Sequence, residues 1–327
     1  MSGEIRESLR IRVCAALLLA LGAAPAPWAA PPAPQKGGNK TVYSIAVDAE
    51  NKLVTDLKKD EWAIREDGTD RAIVDLKQTT DPIDLVLIID TSTTAQASIA
   101  ELKSGLQAFA KILFAGPAPV TMSVTDVAGS SLMVAKDQKS ADDIDKTLAK
   151  TFPDQTQNTV VLEALSEAAK KLDKSPTPRR AIVVVNMDGV PESSTIDPPT
   201  VIKSIVASGA SLWAVTYQNS ATTAILQRGG SGAAAAAHGG RQGDVGVVSV
   251  GAGRDIVLTR VPPATGGLRA MLSTPSALPD TLSAVASAIV GQYAVTYTRP
   301  DGPTPKLVQM GDTRPGVKVI YPSTPIK

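Results

Sequence analysis

The stretch from Leu85 to Thr94 constrains the fold of this chain more than any other. It reads Leu-Val-Leu-Ile-Ile-Asp-Thr-Ser-Thr-Thr, so a run of branched apolar residues leads directly to one carboxylate and a series of hydroxyls. A continuous apolar run of this kind is typical of a strand that is buried on both faces of a parallel sheet. Ligands of open α/β sheets bind just beyond the carboxyl ends of the strands, which makes this strand end a candidate site.

The side chains after the run have the chemistry of ligands for a hard cation. Asp90, Ser92 and Thr94 occupy alternate positions, so their oxygens can point to one side of the loop. Oxygen-only ligands suit Mg²⁺ first, and Ca²⁺ or Mn²⁺ after it. We therefore take these three residues as candidate metal ligands.

Two later segments place polar residues at comparable positions. Thr159 precedes a helical apolar pattern, where a threonine is either a ligand or the N-cap of the helix. A second branched apolar run, residues 181–185, is followed by Asp188-Gly189. Asp188 is either a metal ligand at the end of a central strand, or part of an ordinary Asp-Gly turn.

The three segments together resemble the metal-ion-dependent adhesion site of von Willebrand factor type A domains, whose first segment is Asp-x-Ser-x-Ser. The chain departs from that pattern at Thr93 and Thr94, and at residues 155–158, where the family tends to have glycine. The order of segments also resembles a secreted bacterial family related to this domain. Its members place an extended segment ending in Glu-Asp-Gly, here ending at Gly68, before the Asp-x-Ser strand.

The resemblance implies an α/β fold with a doubly wound, mostly parallel sheet, of the von Willebrand A or Rossmann-like kind. Alternating apolar residues and Asp-Gly turns near both ends predict a small β domain formed by the flanking N- and C-terminal segments. The expected boundaries are a signal peptide over 1–30, a linker over 31–40, a β segment over 41–80, a von Willebrand A domain over 83–291 with a mobile Gly/Ala-rich insertion over 219–253, and a C-terminal β segment over 292–327.

The N-terminus predicts export to the periplasm or the extracellular space. Arg6, Arg10 and Arg12 precede the apolar run 13–24, which is short beside the ~20 residues of a spanning helix and fits a signal peptide. An uncleaved membrane anchor is the alternative. The only cysteine, Cys14, lies in this segment, so the mature chain would have no thiol chemistry.

Composition and motifs argue against several other classes of function. The net charge is +1 and the charges are evenly spread, so no nucleic-acid partner is expected. No Gly-x-Gly-x-x-Gly follows the first strand, and Ser92 replaces the second aspartate of a haloacid dehalogenase-type phosphatase. The only histidine, His238, lies in the Gly/Ala-rich segment, where a catalytic base would lack an ordered scaffold. We expect neither an enzyme nor a small-molecule cofactor.

The resemblance also implies a mode of binding. Ser92, Thr94 and Thr159 would offer neutral hydroxyls to the ion, while Asp90 and Asp188 would bind it directly or through water. An acidic side chain of a protein partner would complete the coordination shell. We therefore expect an exported binding protein with a divalent-cation adhesion site. The alternative is a metal-independent structural or assembly module of the cell envelope, in which the site is degenerate.

Overall fold

A computed structural model describes residues 37–151, 153–187, 189–218 and 245–323, the last range without the side chains of 245–252. The strands are β1 (Gly37–Val47), β2 (Trp62–Glu66), β3 (Thr69–Arg71), β4 (Ile73–Gln78), β5 (Ile83–Ile89), β6 (Val120–Asp126), β7 (Leu132–Gln138), β8 (Arg179–Met187), β9 (Ser211–Tyr217), β10 (Arg269–Leu272), β11 (Tyr293–Pro300), β12 (Val308–Asp312) and β13 (Lys318–Ile320). The helices are α1 (Ile99–Ala115), α2 (Ala141–Lys150), α3 (Val161–Asp173), α4 (Pro198–Ser208), α5 (Val245–Ala264) and α6 (Leu278–Val290).

A six-stranded sheet in the order β10-β9-β8-β5-β6-β7 forms the centre of the molecule. Its strands are parallel except for β7, which pairs antiparallel with β6. Every residue of β5 is buried because both faces of the sheet are covered. Leu85 and Leu87 pack toward α1, α2 and α6, whereas Val86 and Ile88 pack toward α3, α4 and α5. The predicted doubly wound α/β fold is confirmed.

The two ends of the chain meet in the expected β unit. Strands β1 and β4 from the N-terminal side alternate with β11 and β13 in an antiparallel sheet of order β13-β1-β11-β4. A second sheet, β12-β2-β3, packs on it around a separate apolar core that includes Trp62, Val295 and Tyr297. The predicted hairpin between β2 and β3 turns at Asp67 and Gly68, both of which have positive φ as a type I′ turn requires.

Several element boundaries differ from those expected. Strand β1 begins at Gly37, inside the expected linker, because its first residues pair with β11. Helix α5 begins at Val245, inside the expected insertion. Strand β12 had no sequence prediction, since its Gly and Asp disfavour a strand and only pairing with β2 stabilises it.

Parts of the expected organisation lie outside the described residues. These are the signal peptide over 1–30 and residues 219–244 of the insertion, including His238. Within the part of the chain that is described, no helix is long and apolar enough to cross a membrane.

Candidate metal centre

Asp90 lies directly after β5 and is fully buried at the carboxyl end of the sheet. Its Oδ1 accepts a hydrogen bond from the backbone N–H of Ser92 at 3.0 Å, and its Oδ2 accepts one from the N–H of Met187 at 3.2 Å. The carboxylate is therefore held between its own loop and the end of the neighbouring strand β8.

The hydroxyls that follow Asp90 are oriented by a backbone carbonyl. Thr94 lies in a 3₁₀ turn over Thr93–Ser98, and its Oγ1 donates to the carbonyl of Met187 at 2.8 Å. The Oγ of Ser92 lies 2.9 Å from the same Oγ1, within hydrogen-bond distance. Asp90, Ser92 and Thr94 thus form one connected group of oxygens, as their alternate spacing predicts.

Thr159 is buried where the loops that follow β6 and β8 meet. Its Oγ1 donates to the carbonyl of Val127 at 3.1 Å, and its backbone N–H donates to the carbonyl of Pro191 at 3.0 Å. Its own carbonyl accepts from the N–H of Ser193 at 2.8 Å. The N-cap alternative is wrong, because α3 begins at Val161 and the Thr159 hydroxyl is turned to another segment.

The N-terminus of α3 is instead capped by Glu192, which the sequence did not predict. The Glu192 carboxylate accepts from the backbone N–H groups of Val161 and Leu162 at 3.3 and 3.4 Å. The guanidinium of Arg254, from α5, lies 3.9 Å from this carboxylate and donates to the carbonyl of Val190. A cap supplied from so far along the chain leaves no local sequence signal.

The three loops at this edge of the sheet are tied to each other. The backbone N–H of Thr93 donates to the carbonyl of Thr156 at 3.2 Å, and the N–H of Asp154 donates to the carbonyl of Thr91 at 2.7 Å. The Thr91 hydroxyl also bonds both carboxylate oxygens of Asp126, at the end of β6. Asp126 is a second residue that the sequence did not single out. The segment 155–158, which lacks the glycine typical of the family, is thus held against the first segment.

Asp188, the remaining predicted ligand, lies outside the described residues, between Met187 and Gly189. Within the described ranges, no three His, Cys, Asp or Glu side chains form a metal-binding group. The predicted ligands that are described are one carboxylate and three hydroxyl side chains, and hydroxyls are not among those four residue types.

The electrostatics of the site suit a cation. Burial raises the pKa of Asp90, while hydrogen bonds from Ser92 and the positive charge of Arg254 act in the opposite direction. A buried carboxylate is stabilised by a nearby positive charge, and neutral hydroxyl oxygens add ligands without further repulsion. The donor set of Asp90, Ser92 and Thr94 therefore fits a hard divalent cation, while Thr159 lies on the neighbouring loop with its hydroxyl on the carbonyl of Val127.

The family comparison agrees with this fold. Residues 84–238 match the family model described as the von Willebrand factor type A domain. The central sheet and the helices that cover it therefore have the von Willebrand factor type A fold. A comparison with curated proteins gave no match.

Solved structures with a similar arrangement come from an animal and from a bacterium. Proximal thread matrix protein 1 from the mussel byssus is 12% identical with a TM-score of 0.45, over 65% of this chain and 49% of that one. The same protein "with zinc occupied MIDAS motif" is 13% identical with a TM-score of 0.44, over 69% and 49%. A von Willebrand factor type A protein from Catenulispora acidiphila is 11% identical with a TM-score of 0.43, over 87% and 72%. The chain thus spans about half the length of the mussel protein.

Proposed function

We propose that this chain is a protein-binding module that holds a divalent cation at the end of β5 and recognises an acidic side chain of its partner. Von Willebrand factor type A domains are generally non-enzymatic interaction modules. The observation that carries the proposal is the orientation of the hydroxyls. Thr94 and Thr159 donate their protons to backbone carbonyls, which leaves oxygen lone pairs available to an ion.

Each predicted ligand would have a distinct part in such a site. Ser92, Thr94 and Thr159 would bind the ion through neutral oxygens, and Asp90 and Asp188 would bind it directly or through water. A bound divalent cation would supply an electrophilic position, because two formal charges face it and a further carboxylate can still be accommodated. The chain's own contribution is to hold these oxygens in place.

The binding of Mg²⁺ to the purified chain tests the proposal. We expect isothermal titration to detect Mg²⁺, and a saturating concentration to raise the melting temperature, because the ion binds the native state. Asp90→Asn keeps the shape of the side chain and removes its charge, so affinity should fall at least tenfold. Asp142→Asn, at an exposed aspartate in the first turn of α2, is the matched control. Equal Mg²⁺ binding by both variants would exclude Asp90 as a ligand and contradict the proposed site.

A second candidate function is a metal-independent structural or assembly module of the cell envelope. One observation favours it: both oxygens of Asp90 and the hydroxyls of Thr94 and Thr159 already have protein partners. The loops are therefore held together by the chain itself. A melting temperature that does not change with Mg²⁺ or chelator would select this alternative.

We also propose that the chain is exported. The support is the sequence alone, namely three arginines ahead of a short apolar run. N-terminal sequencing of the protein recovered from the cell envelope tests this, since an intact Met1 in a cytosolic fraction would count against export.

A further inference from the structure

A row of buried polar side chains crosses the carboxyl end of the central sheet. Val184 of β8 pairs with Ile88 of β5 and with Ala214 of β9, and all three lie in the apolar core beneath α3, α4 and α5. Successive side chains of a strand point to opposite faces, so the residues two positions further along face the same helices. These residues are polar, and each is at most 1% exposed. They are Asp90, Asn186 and Thr216.

Asn186 is the neighbour of Asp90 in this row. The backbone N–H of Asp90 donates to the carbonyl of Val185 at 3.0 Å, and the N–H of Met187 donates to Asp90 Oδ2 at 3.2 Å. Asp90 is therefore bonded to the residues on both sides of Asn186, across a strand spacing of about 4.8 Å. Thr216, which pairs with Asn186, lies one strand further from Asp90. The amide of Asn186 is thus beside the carboxylate of the candidate metal centre.

The side chain of Asn186 has no hydrogen-bond partner in the described part of the chain. Neither its Oδ1 nor its Nδ2 is bonded there, although the residue is fully buried. The Oγ1 of Thr216 is unpaired among the same residues. Buried polar atoms are almost always satisfied, so an unpaired amide at the edge of a site marks a position for a water or an ion.

The charges on this face favour a cation beside the amide. Arg254 of α5 lies 3.9 Å from the carboxylate of Glu192, and its positive charge opposes the rise in the pKa of Asp90 that burial causes. With both carboxylates ionised, one positive charge faces two negative ones. The amide of Asn186 is neutral and adds an oxygen acceptor without changing this balance.

We propose that Asn186 is a positioning residue of the metal centre, and that its amide oxygen accepts a hydrogen bond from a water bound to the cation. This inference rests on the proposed function, since the cation holds the water. Mg²⁺ keeps several of its waters in proteins, and a water bound to a cation is a donor that needs acceptors. Asp90 is a charged acceptor and Asn186 a neutral one, so the ion would keep its attraction for a carboxylate of the partner.

Asn186→Leu tests the proposal, because leucine has a similar size and cannot accept a hydrogen bond. We expect isothermal titration with MgCl₂ to show an affinity for Mg²⁺ that is about tenfold lower or more, as for other groups that orient the ligands of a metal. In chelator, the variant should be at least as stable to urea as the wild type, since it loses an amide without partners. Lower stability in chelator with unchanged Mg²⁺ affinity would show a structural role and overturn the proposal.

Thr216→Val is the matched control, since it removes the other unpaired polar group of the row, one strand further from Asp90. It should bind Mg²⁺ like the wild type. An equal loss of affinity in Thr216→Val and Asn186→Leu would show that any change in the row distorts the site, and would overturn the positioning role.

Asn186→Asp decides the question if the leucine variant does not fold. It keeps the shape and the acceptor oxygen of the side chain and adds a charge, so it should bind Mg²⁺ more tightly than the wild type. Equal or weaker binding would overturn the proposal. Mg²⁺ binding by the wild type that Asn186→Leu leaves unchanged would overturn this inference alone, whereas a wild type that binds no Mg²⁺ would overturn the proposed function as well.

Discussion

At the scale of the residue, the hydroxyl of Thr159 shows how a short motif can have two meanings. A threonine just before a helix has the position of an N-cap, and its local sequence is compatible with that role. The folded chain assigns the cap to Glu192 and turns the Thr159 hydroxyl to the carbonyl of Val127. The Thr159 hydroxyl therefore does not cap the helix and contacts the loop that follows β6 instead.

Thr159→Val replaces the hydroxyl by a methyl group of similar size. We expect a loss of about 1 kcal/mol in the free energy of unfolding, because the carbonyl of Val127 keeps the backbone N–H of Val160 and loses only the hydroxyl donor. We also expect the increase in melting temperature caused by Mg²⁺ to be reduced. Thr151→Val, which removes a hydroxyl that donates to the carbonyl of Thr147, is the control and should keep that increase. An unchanged Mg²⁺ affinity in Thr159→Val would exclude this hydroxyl as a ligand.

At the scale of the element, the hairpin of β2 and β3 is held to the C-terminal strands by a buried carboxylate. Glu66 is 2% exposed and accepts hydrogen bonds from Tyr297 and Arg299 of β11 and from Arg71 of β3. Burial alone would raise the pKa of Glu66, but these three hydrogen bonds outweigh it and hold the pKa below its ordinary value of 4.5. The β unit is therefore stabilised by the ionised form of this residue.

The depressed pKa of Glu66 predicts how the stability of the β unit depends on pH. A carboxyl group with a lower pKa in the folded state contributes fully above its ordinary pKa, and the contribution is lost as pH falls through the folded value. We expect unfolding in urea, followed by the fluorescence of Trp62 and the other tryptophans, to show this loss below about pH 4.5. Glu66→Gln should remove this contribution and destabilise the chain by about 2 kcal/mol at pH 7, because the partly buried Arg71 and Arg299 lose hydrogen bonds to a charged carboxylate. Glu50→Gln, at an exposed turn, is the control, and equal pH profiles of the two variants would contradict the assignment.

At the scale of the whole molecule, strands from the two ends of the chain share two sheets, and the central six-stranded sheet lies between them in the sequence. Arg179, at the start of β8, links the two parts through Gln292, the carbonyl of Asp81 and the ring of Tyr43 at 5.8 Å. Burial lowers the pKa of Arg179 to about 10, so it keeps its positive charge at neutral pH. The termini are thereby coupled to the end of the sheet opposite the candidate metal centre.

Deletion of residues 292–327 tests this coupling. The deletion removes β11, β12 and β13, so β1, β2 and β4 lose their neighbours and the core around Trp62 is exposed. We expect trypsin to cut residues 41–80 rapidly in the deleted chain and slowly in the full chain. Deletion of residues 324–327 alone, which removes none of these strands, is the control. An unchanged rate of cleavage in the larger deletion would mean that the N-terminal strands are stable by themselves.

The sequence by itself determined the features that depend on local pattern. Branched apolar runs identified β5 and β8, since a strand that is buried on both faces is apolar over most of its length. The Asp-Gly pair after Glu66 identified a hairpin turn because both positions require positive φ. The position of Asp90 after the first run identified the candidate metal centre for a similar reason, since carboxyl ends of parallel strands meet at one edge.

Only the tertiary structure decided the features that join distant segments. The cap of α3 by Glu192, the bond between Thr91 and Asp126, and the pairing of β12 with β2 each link residues without a shared local pattern. Hydrogen-bond donors and acceptors in a buried site are satisfied by whichever group the fold brings near, and that group carries no mark in the sequence. The position of the candidate site at the end of β5 was therefore predicted from the residues themselves, whereas the contacts that support it depended on how the chain folds.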